Sequence, residues 1–177
     1  MLISDSYREQ QRKLHDARPD YGVVSVAYAP LVSEICNRLQ IQHLLDYGAG
    51  KCRLFKALRV DHKMRLQAYD PGIEELSSPP VPAEMVACID VLEHIEPENL
   101  DAVLDDLQRL TESVLLVTIH TGPAAKTLDD GRNAHLIQQP MEWWLPKLWE
   151  RFDLHTVQVT GEHSFHVIAY AKPRILA

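Results

Sequence analysis

The chain has 177 residues, 46% of them hydrophobic, which is the size and composition of one globular domain with an apolar core. Its 25 acidic and 18 basic residues give a formal net charge of -7, which disfavours tight non-specific binding to nucleic acid. A small-molecule or glycan partner is expected instead. No apolar run is long enough to span a membrane, no secretory leader is visible and the three cysteines are scattered, so we predict a cytoplasmic protein without membrane association.

The first part of the chain predicts an arm followed by a helix. Residues 1–27 are rich in charge and glutamine, and they form a predicted N-terminal arm that begins with a short amphipathic helix. We assign residues 28–177 to one domain. Near its start, Pro30 fits the first turn of a helix, and apolar residues recur at helical spacing up to Leu39.

The stretch 44–58 predicts a buried strand, a tight turn and the start of a helix. An apolar run ends in Asp46, small residues extend from Gly48 to Gly50, and apolar residues return at 54–58. Glycine permits unusual backbone dihedrals and a close ligand approach, and amides at a helix start can face polar ligand atoms. This pattern indicates a cofactor cleft.

Two further predicted strands end in acidic residues. The segment 65–70 ends in Asp70, whose carboxylate could accept both hydroxyls of a ribose, and the segment 84–89 runs into Asp90 and an acidic helical segment. Between these strands, three prolines within residues 79–82 exclude regular structure. Apolar strands that alternate with helices imply a parallel sheet covered on both faces.

The following part predicts another helix and strand and then a long loop. A helix over 100–110 precedes a strand over 114–119, and His120 emerges at the carboxyl end of that strand, where open sheets bind ligands. Residues 121–139 are too polar and broken for a core element. Loops of this length are commonly functional, so we expect this one to recognise substrate.

The C-terminal part predicts one helix and a hairpin. Apolar residues follow helical spacing after position 140, but Pro146 removes an internal hydrogen bond, so the helix is either kinked or starts near Leu145. Segments 155–160 and 164–171 flank a glycine and read as two antiparallel strands.

Three motifs, taken in this order, carry a resemblance to a known family. They are Leu44-Leu45-Asp46-Tyr47-Gly48-Ala49-Gly50, Tyr69-Asp70-Pro71 and Asp90-Val91-Leu92-Glu93-His94-Ile95. They resemble the motifs of class I S-adenosylmethionine-dependent methyltransferases, over residues 28–172. The resemblance implies an α/β fold: a Rossmann-like, doubly wound, mostly parallel sheet with a C-terminal antiparallel hairpin, in three α/β/α layers.

The chain departs from the family pattern at two places. Cys52 stands where the family often has a third glycine. The segment 71–85 is shorter than the helix plus strand that the family usually has there, and that strand normally contributes contacts to adenine. The sequence therefore leaves the adenine pocket undefined.

The resemblance also implies a cofactor, S-adenosylmethionine, and a lid. In the family, the segment before the first strand often folds over the cofactor, which would make Tyr7, Tyr21 and Tyr28 lid residues. The alternative is a solvated arm whose tyrosines pack on the domain edge. The implied cofactor-binding residues are Asp46, Tyr47, Gly48, Ala49, Gly50, Asp70, Pro71, Ile89 and Asp90.

Methyl transfer needs an acceptor held in line with the methyl group and, in many cases, a base for its proton. Histidine is the usual base at neutral pH, and His94, His120 and His135 all fall in segments expected at the open end of the sheet, so we predict these as catalytic residues. The predicted reaction is methyl transfer to an oxygen or nitrogen of a small molecule or sugar. The alternatives are an RNA methyltransferase, which could be of a metal-dependent 2'-O type, and a catalytically inactive methyltransferase-like binding module.

A metal site is the last feature that the sequence raises. Asp90, Glu93 and His94 have the spacing that puts three side chains on one helical face. With His135 as a fourth ligand, the pattern resembles the divalent-metal site of small-RNA 2'-O-methyltransferases and certain quinone-pathway O-methyltransferases. The same Glu-His pair occurs in metal-free relatives, and Asp90 replaces a longer glutamate. We therefore predict chemistry without a metal.

Overall fold

The computed structural model describes residues 1–17 and 23–173, with side chains described outside 15–17. Its helices follow the apolar periodicity of the sequence. In the fourth helix, for example, five apolar residues spaced three or four apart are buried on one face. The helices are α1 (Asp5–Ala17), α2 (Val24–Leu39), α3 (Arg53–Ala57), α4 (Leu100–Leu110) and α5 (Met141–Arg151).

The strands form one six-stranded sheet with the order β2-β1-β3-β4-β6-β5. Strands β2, β1, β3 and β4 pair in parallel, and β6 and β5 add an antiparallel hairpin next to β4. The predicted doubly wound, mostly parallel sheet with a C-terminal hairpin is confirmed. The strands are β1 (His43–Tyr47), β2 (Arg65–Tyr69), β3 (Ala83–Ile89), β4 (Thr111–His120), β5 (Phe152–Gly161) and β6 (Ser164–Ala171).

Helices cover both faces of the sheet, because successive side chains of a strand point to opposite sides. On one face, Leu44 of β1 and Met85 of β3 belong to the apolar cluster beneath α2 and α3. On the other face, Leu45 and Val86 belong to the cluster beneath α4 and α5. All four side chains are fully buried, which confirms the three-layer α/β/α arrangement.

Two helix starts differ from the sequence prediction. Helix α2 begins at Val24, so Pro30 lies inside it and not in its first turn. Helix α5 begins at Met141 and includes Pro146, which rules out the predicted start near Leu145. In both cases packing of the apolar face against the sheet outweighs the hydrogen bond that proline removes.

The short segment between β2 and β3 leaves β2 at the edge of the sheet. Its regular structure is a single 3-10 turn, Glu74–Leu76, and the amide of Asp70 donates to the Leu76 carbonyl at 3.0 Å. The prediction that this segment lacks the usual helix and strand is confirmed. Among the described residues, no helix combines the length and the hydropathy that a bilayer span requires.

Candidate active site

The glycine turn after β1 is built as the sequence predicted. Gly48 has a φ of +78°, and a Cβ there would lie 2.4 Å from a methyl group of Val91, so only glycine fits. The amides of Gly48 and Ala49 donate to the Tyr69 carbonyl at 2.8 and 3.0 Å. These bonds fix the turn against the end of β2.

The Asp70 side chain connects the end of β2 to the glycine turn that follows β1. Its carboxylate accepts hydrogen bonds from the amides of Gly50 and Gly72, both at 2.9 Å, and the residue is 8% exposed. A carboxylate oxygen carries two lone pairs, so it can accept more than one hydrogen bond. This geometry places Asp70 beside the glycine turn, and its contact with a ribose stays a prediction.

Cys52 adopts the left-handed conformation, with a φ of 52°. This backbone conformation is strained for residues other than glycine, which explains why a glycine is common at this position in the resembling family. Burial raises the pKa of the Cys52 thiol, and the nearby Asp46 raises it further. The thiol is therefore less reactive than an exposed cysteine.

Asp46 and Tyr47 differ from the other predicted cofactor residues, because neither side chain lines the cavity described below. The Tyr47 hydroxyl donates to Asp106 on α4 at 3.1 Å, and its ring packs in the core, so a cofactor contact of Tyr47 stays a prediction that its side chain does not support. Asp46 is 2% exposed. Burial, and then the charge of Asp70, raise the pKa of Asp46 to about 7.

The sequence predicted that Asp90, Glu93 and His94 lie on one face of a helix after β3, but the structure has no α-helix there. Asp90 has a φ of 60°, and its amide donates to Oγ1 of Thr118 at 3.0 Å. A 3-10 turn, Leu92–His94, follows. The three side chains at 90, 93 and 94 therefore do not share one α-helical face.

Glu93 points into the protein interior and is fully buried. Its Oε1 accepts a hydrogen bond from the backbone amide of His120 at 2.7 Å, and its Oε2 has no hydrogen-bond donor among the described residues. Burial, and then the negative charge of the nearby Asp90, raise the pKa of Glu93 well above its usual value.

The three predicted catalytic histidines lie together. The ring of His135 is 4.7 Å from that of His94 and 4.9 Å from that of His120, between centroids. His135 comes from the long loop 121–139, whereas His120 ends β4 and His94 follows β3. The clustering confirms that these segments meet at the open end of the sheet.

Hydrogen bonds to backbone carbonyls fix two of these rings. Nδ1 of His94 donates to the Ala134 carbonyl at 2.8 Å, and Nδ1 of His135 donates to the Gly122 carbonyl at 2.7 Å. A carbonyl can only accept, so each Nε2 carries the lone pair. Burial lowers the pKa of His94 to about 4 and also lowers that of His135, and both rings are neutral at physiological pH.

Helix α1 covers the histidine cluster. The Tyr7 hydroxyl donates to the His94 carbonyl at 2.6 Å, and Nε2 of Gln11 donates to the Tyr7 hydroxyl at 2.6 Å. Ile3 and Tyr7 also pack against Leu128 and Ala134 of the long loop. Tyr7 thus lies where a lid residue would, and burial raises its pKa.

The other two predicted lid residues are placed differently. Tyr28 lies at the far side of α2, with its ring edge-on to His166 at 5.9 Å and its hydroxyl 3.4 Å from Oγ1 of Thr160. It packs on β6 and does not line the cavity. Tyr21 lies outside the described residues.

One cavity of about 490 Å³ joins these features. It opens at the carboxyl ends of the parallel strands, where ligands bind in sheets of this kind. Seven of the nine predicted cofactor residues and all three predicted catalytic histidines line it: Gly48, Ala49, Gly50, Asp70, Pro71, Ile89, Asp90, His94, His120 and His135.

Gln11, Val91 and Lys126 are among the lining residues that sequence reasoning missed. Gln11 stands in a charged helix, and nothing in its local pattern distinguishes it from a solvated residue. Lys126 belongs to a loop without periodicity. Val91 was within a recognised motif, but its role as the wall against Gly48 depends on the turn after β3.

No protein-family model and no curated protein sequence matches the chain. Among solved structures, it resembles the Burkholderia thailandensis 1,6-didemethyltoxoflavin N1-methyltransferase, crystallised with 1,6-didemethyltoxoflavin and S-adenosylhomocysteine, with a TM-score of 0.69 at 14% identity over 95% of this chain and 90% of that one. It also resembles the N-methyltransferase NodS of Bradyrhizobium japonicum in complex with S-adenosylhomocysteine, with a TM-score of 0.64 at 12% identity over 94% and 100% of the two chains.

A third similar structure is an S-adenosylmethionine-dependent methyltransferase of Aquifex aeolicus, with a TM-score of 0.61 at 17% identity over 91% of this chain and 98% of that one. The identities are low, but each alignment spans nearly all of both chains. The chain therefore has the fold of the class I S-adenosylmethionine-dependent methyltransferases.

Proposed function

We propose that the protein is a methyltransferase that moves a methyl group from S-adenosylmethionine to an oxygen or nitrogen of a small molecule or sugar. The observation that carries this proposal is the division of the cavity into two sides. The glycine turn and Asp70 follow the adjacent strands β1 and β2, whereas His94 follows β3 and His120 ends β4, with His135 beside both rings. A cofactor side and a base side are what methyl transfer requires.

The residues on the first side fit the cofactor. Asp70 would accept the ribose hydroxyls, and the Gly48–Gly50 turn, which lines the cavity, would lie against the methionine part. Bound S-adenosylmethionine supplies an electrophilic methyl group on a positively charged sulfur. The chain's part is to bind and orient it, and the bound S-adenosylhomocysteine of two structural neighbours supports this placement.

The residues on the second side would handle the acceptor proton. In the transfer, the bond from the methyl carbon to sulfur breaks, a bond to the acceptor atom forms, and the acceptor proton must leave. A neutral histidine ring can take it. His94 is a poor base, because desolvation lowers its pKa to about 4 and so disfavours the protonated ring. We assign proton removal to His120, with His135 beside it.

The covered cavity favours a small acceptor. Helix α1 lies over the histidine cluster through Tyr7 and Gln11, which leaves a partly covered cavity of about 490 Å³ for cofactor and acceptor together. A nucleotide in an RNA chain would have to enter past this helix. The net charge of -7 also opposes a polyanion.

Calorimetry with S-adenosylhomocysteine tests the proposal. We expect the wild type to bind it, and Asp70→Ala to weaken binding by about 1.5–3 kcal/mol, or about 10- to 150-fold, because hydrogen bonds to a charged acceptor are lost. Glu75→Ala is the matched control, since it removes an exposed acid of the same segment that does not line the cavity.

Two further measurements make the result decisive. Because Asp70 also holds the amides of Gly50 and Gly72, circular dichroism must show that the variant is folded, and Asp70→Asn provides a milder change. Unchanged affinity in a folded Asp70→Ala variant would refute the cofactor placement. Absence of binding to the wild type would refute the proposed function itself.

A further inference from the structure

We infer that Asp90, His94 and His135 form a binding site for one divalent transition-metal ion inside the cavity. One ligating atom from each residue lies within 4.8 Å of the others. The residues come from the end of β3, the turn after it and the long loop, and all three line the cavity. The role of the ion in catalysis rests on the proposed methyltransferase function, whereas its binding does not.

The spacing is close to that of a metal centre. Nitrogen and oxygen ligands stand about 2.1 Å from such an ion, which places two of them about 3–4 Å apart. The three atoms here already lie within 4.8 Å of one another, so small side-chain rotations bring them to bonding distance.

Both imidazole rings are held as metal ligands are held. The Nδ1 atoms of His94 and His135 donate to the carbonyls of Ala134 and Gly122 at 2.8 and 2.7 Å. These bonds fix the tautomer in which Nε2 carries the lone pair, and they fix the ring orientation. Backbone carbonyls thus orient both histidines, and both line the cavity. This orientation supports a metal site independently of the short distances between the ligating atoms.

Neighbouring residues also hold the carboxylate of Asp90 in position. Asp90 holds a strained φ of 60°, and its amide is tied to Thr118 at 3.0 Å. Glu93 lies next to it in the interior. Outer-sphere partners of this kind orient ligating carboxylates.

This donor set differs from the one that the sequence suggested. Glu93 is excluded as a ligand, because its Oε1 accepts the His120 amide and its side chain is fully buried. The prediction of a metal-free site relied on two points, the Glu-His pair of metal-free relatives and the short side chain of Asp90, and the second of these is an objection to the geometry. That objection does not hold in the structure, because the turn at Asp90 brings its carboxylate beside the two rings.

Two imidazoles and one carboxylate suit manganese, iron, cobalt or zinc, whereas magnesium and calcium prefer oxygen ligands alone. Three protein ligands leave coordination positions open. An ion there would polarise an oxygen of the acceptor, so this inference narrows the acceptor atom of the proposed function to a hydroxyl oxygen. The hydroxyl proton would leave to His120, and the C–S electron pair would stay on sulfur as S-adenosylhomocysteine forms.

Cobalt(II) binding provides a test that does not depend on activity. The full chain is stripped with a chelator, dialysed and titrated with CoCl2 while visible absorption is recorded. We expect saturation at one equivalent, with bands typical of nitrogen and oxygen ligands. His135→Gln and Asp90→Asn should each weaken binding by about tenfold or more.

His163→Gln is the matched control for adventitious histidine binding. The ring of His163 lies 5.9 Å from that of His120, but His163 is not part of the three-residue set. This variant should bind cobalt like the wild type. No saturable binding to the wild type, or equal binding by the folded His135→Gln, Asp90→Asn and His163→Gln variants, would overturn the inference.

Calorimetry with S-adenosylhomocysteine on the same samples separates the two proposals. Binding of S-adenosylhomocysteine without cobalt binding refutes the metal site alone. Cobalt binding without S-adenosylhomocysteine binding supports the site and refutes the methyltransferase proposal, and the assigned role of the ion falls with it.

Discussion

At the scale of single residues, two glycines show how the site constrains the sequence. Gly48 and Gly131 both have a positive φ, of +78° and +87°. A Cβ at Gly48 would lie 2.4 Å from Val91, whereas a Cβ at Gly131 has no neighbour within 4 Å among the described residues. The pair therefore separates backbone strain from steric overlap.

Gly131→Ala should cost about 1 kcal/mol of stability, which is the strain of a left-handed alanine. Gly48→Ala should cost about 1–3 kcal/mol more, because the methyl group also overlaps Val91. The double variant Gly48→Ala, Val91→Ala should recover part of the difference. Urea unfolding of the four proteins checks this, and equal losses for the two single variants would contradict the close contact.

Asp46 is a second residue whose environment has a measurable consequence. Burial raises its pKa from the ordinary value of 3.8 to about 7. The folded protein therefore holds a proton there more tightly than the unfolded chain does. The stability that this proton provides is complete below about pH 4 and is lost as the pH rises to about 7.

Asp46→Asn should remove this dependence. As the pH rises from 5 to 8, the wild type should lose about 3 kcal/mol of unfolding free energy relative to the variant. Asp153→Asn, at an exposed position, is the control and should show no such shift. Ligand-free unfolding at both pH values measures the effect. A constant difference would mean that Asp46 titrates normally.

At the scale of elements, α1 and the long loop form a cover that neither could form alone. Ser4 donates to Glu96 through its amide and its hydroxyl, at 2.8 and 2.6 Å, just before α1 begins. Tyr7 then contacts the His94 carbonyl and packs on Ala134. We propose that α1 moves as a lid that admits cofactor and acceptor.

Tyr7→Phe should loosen this cover. The hydroxyl bond to His94 is lost, at a cost of about 0.5–1.5 kcal/mol, so amide exchange in α1 should accelerate by about 2- to 10-fold. Tyr28→Phe is the control, because that hydroxyl contacts Thr160 away from the cavity. Equal exchange of α1 in wild type and Tyr7→Phe would argue against the anchoring role.

The same elements show what the sequence could predict. The strands and the glycine turn were predictable because apolar runs and positive-φ positions are local patterns, as at Gly48. The turn after β3 was not, because the bonds of Asp90 to Thr118 and of Glu93 to His120 join segments 27 or 28 residues apart. For the histidine cluster, the sequence predicted only that the three residues lie at the same edge of the sheet. The distances between their rings were not predictable, because they depend on the path of loop 121–139.

At the scale of the whole molecule, the site is built on the four parallel strands of the six-stranded sheet. Strands β1, β3 and β4 carry the glycine turn, Asp90 and His120 at one end, and β2 adds Asp70 at the edge. Because β2 is the edge strand, the loop residues Pro71 and Gly72 form that side of the cavity.

A crystal structure of the protein grown with S-adenosylhomocysteine tests this account most directly. We expect density for the ribose within hydrogen-bonding distance of Asp70, the amino acid part against the Gly48–Gly50 turn, and the sulfur directed toward His120. Density for the ligand elsewhere on the sheet, or in the cavity with the ribose away from Asp70, would contradict the account.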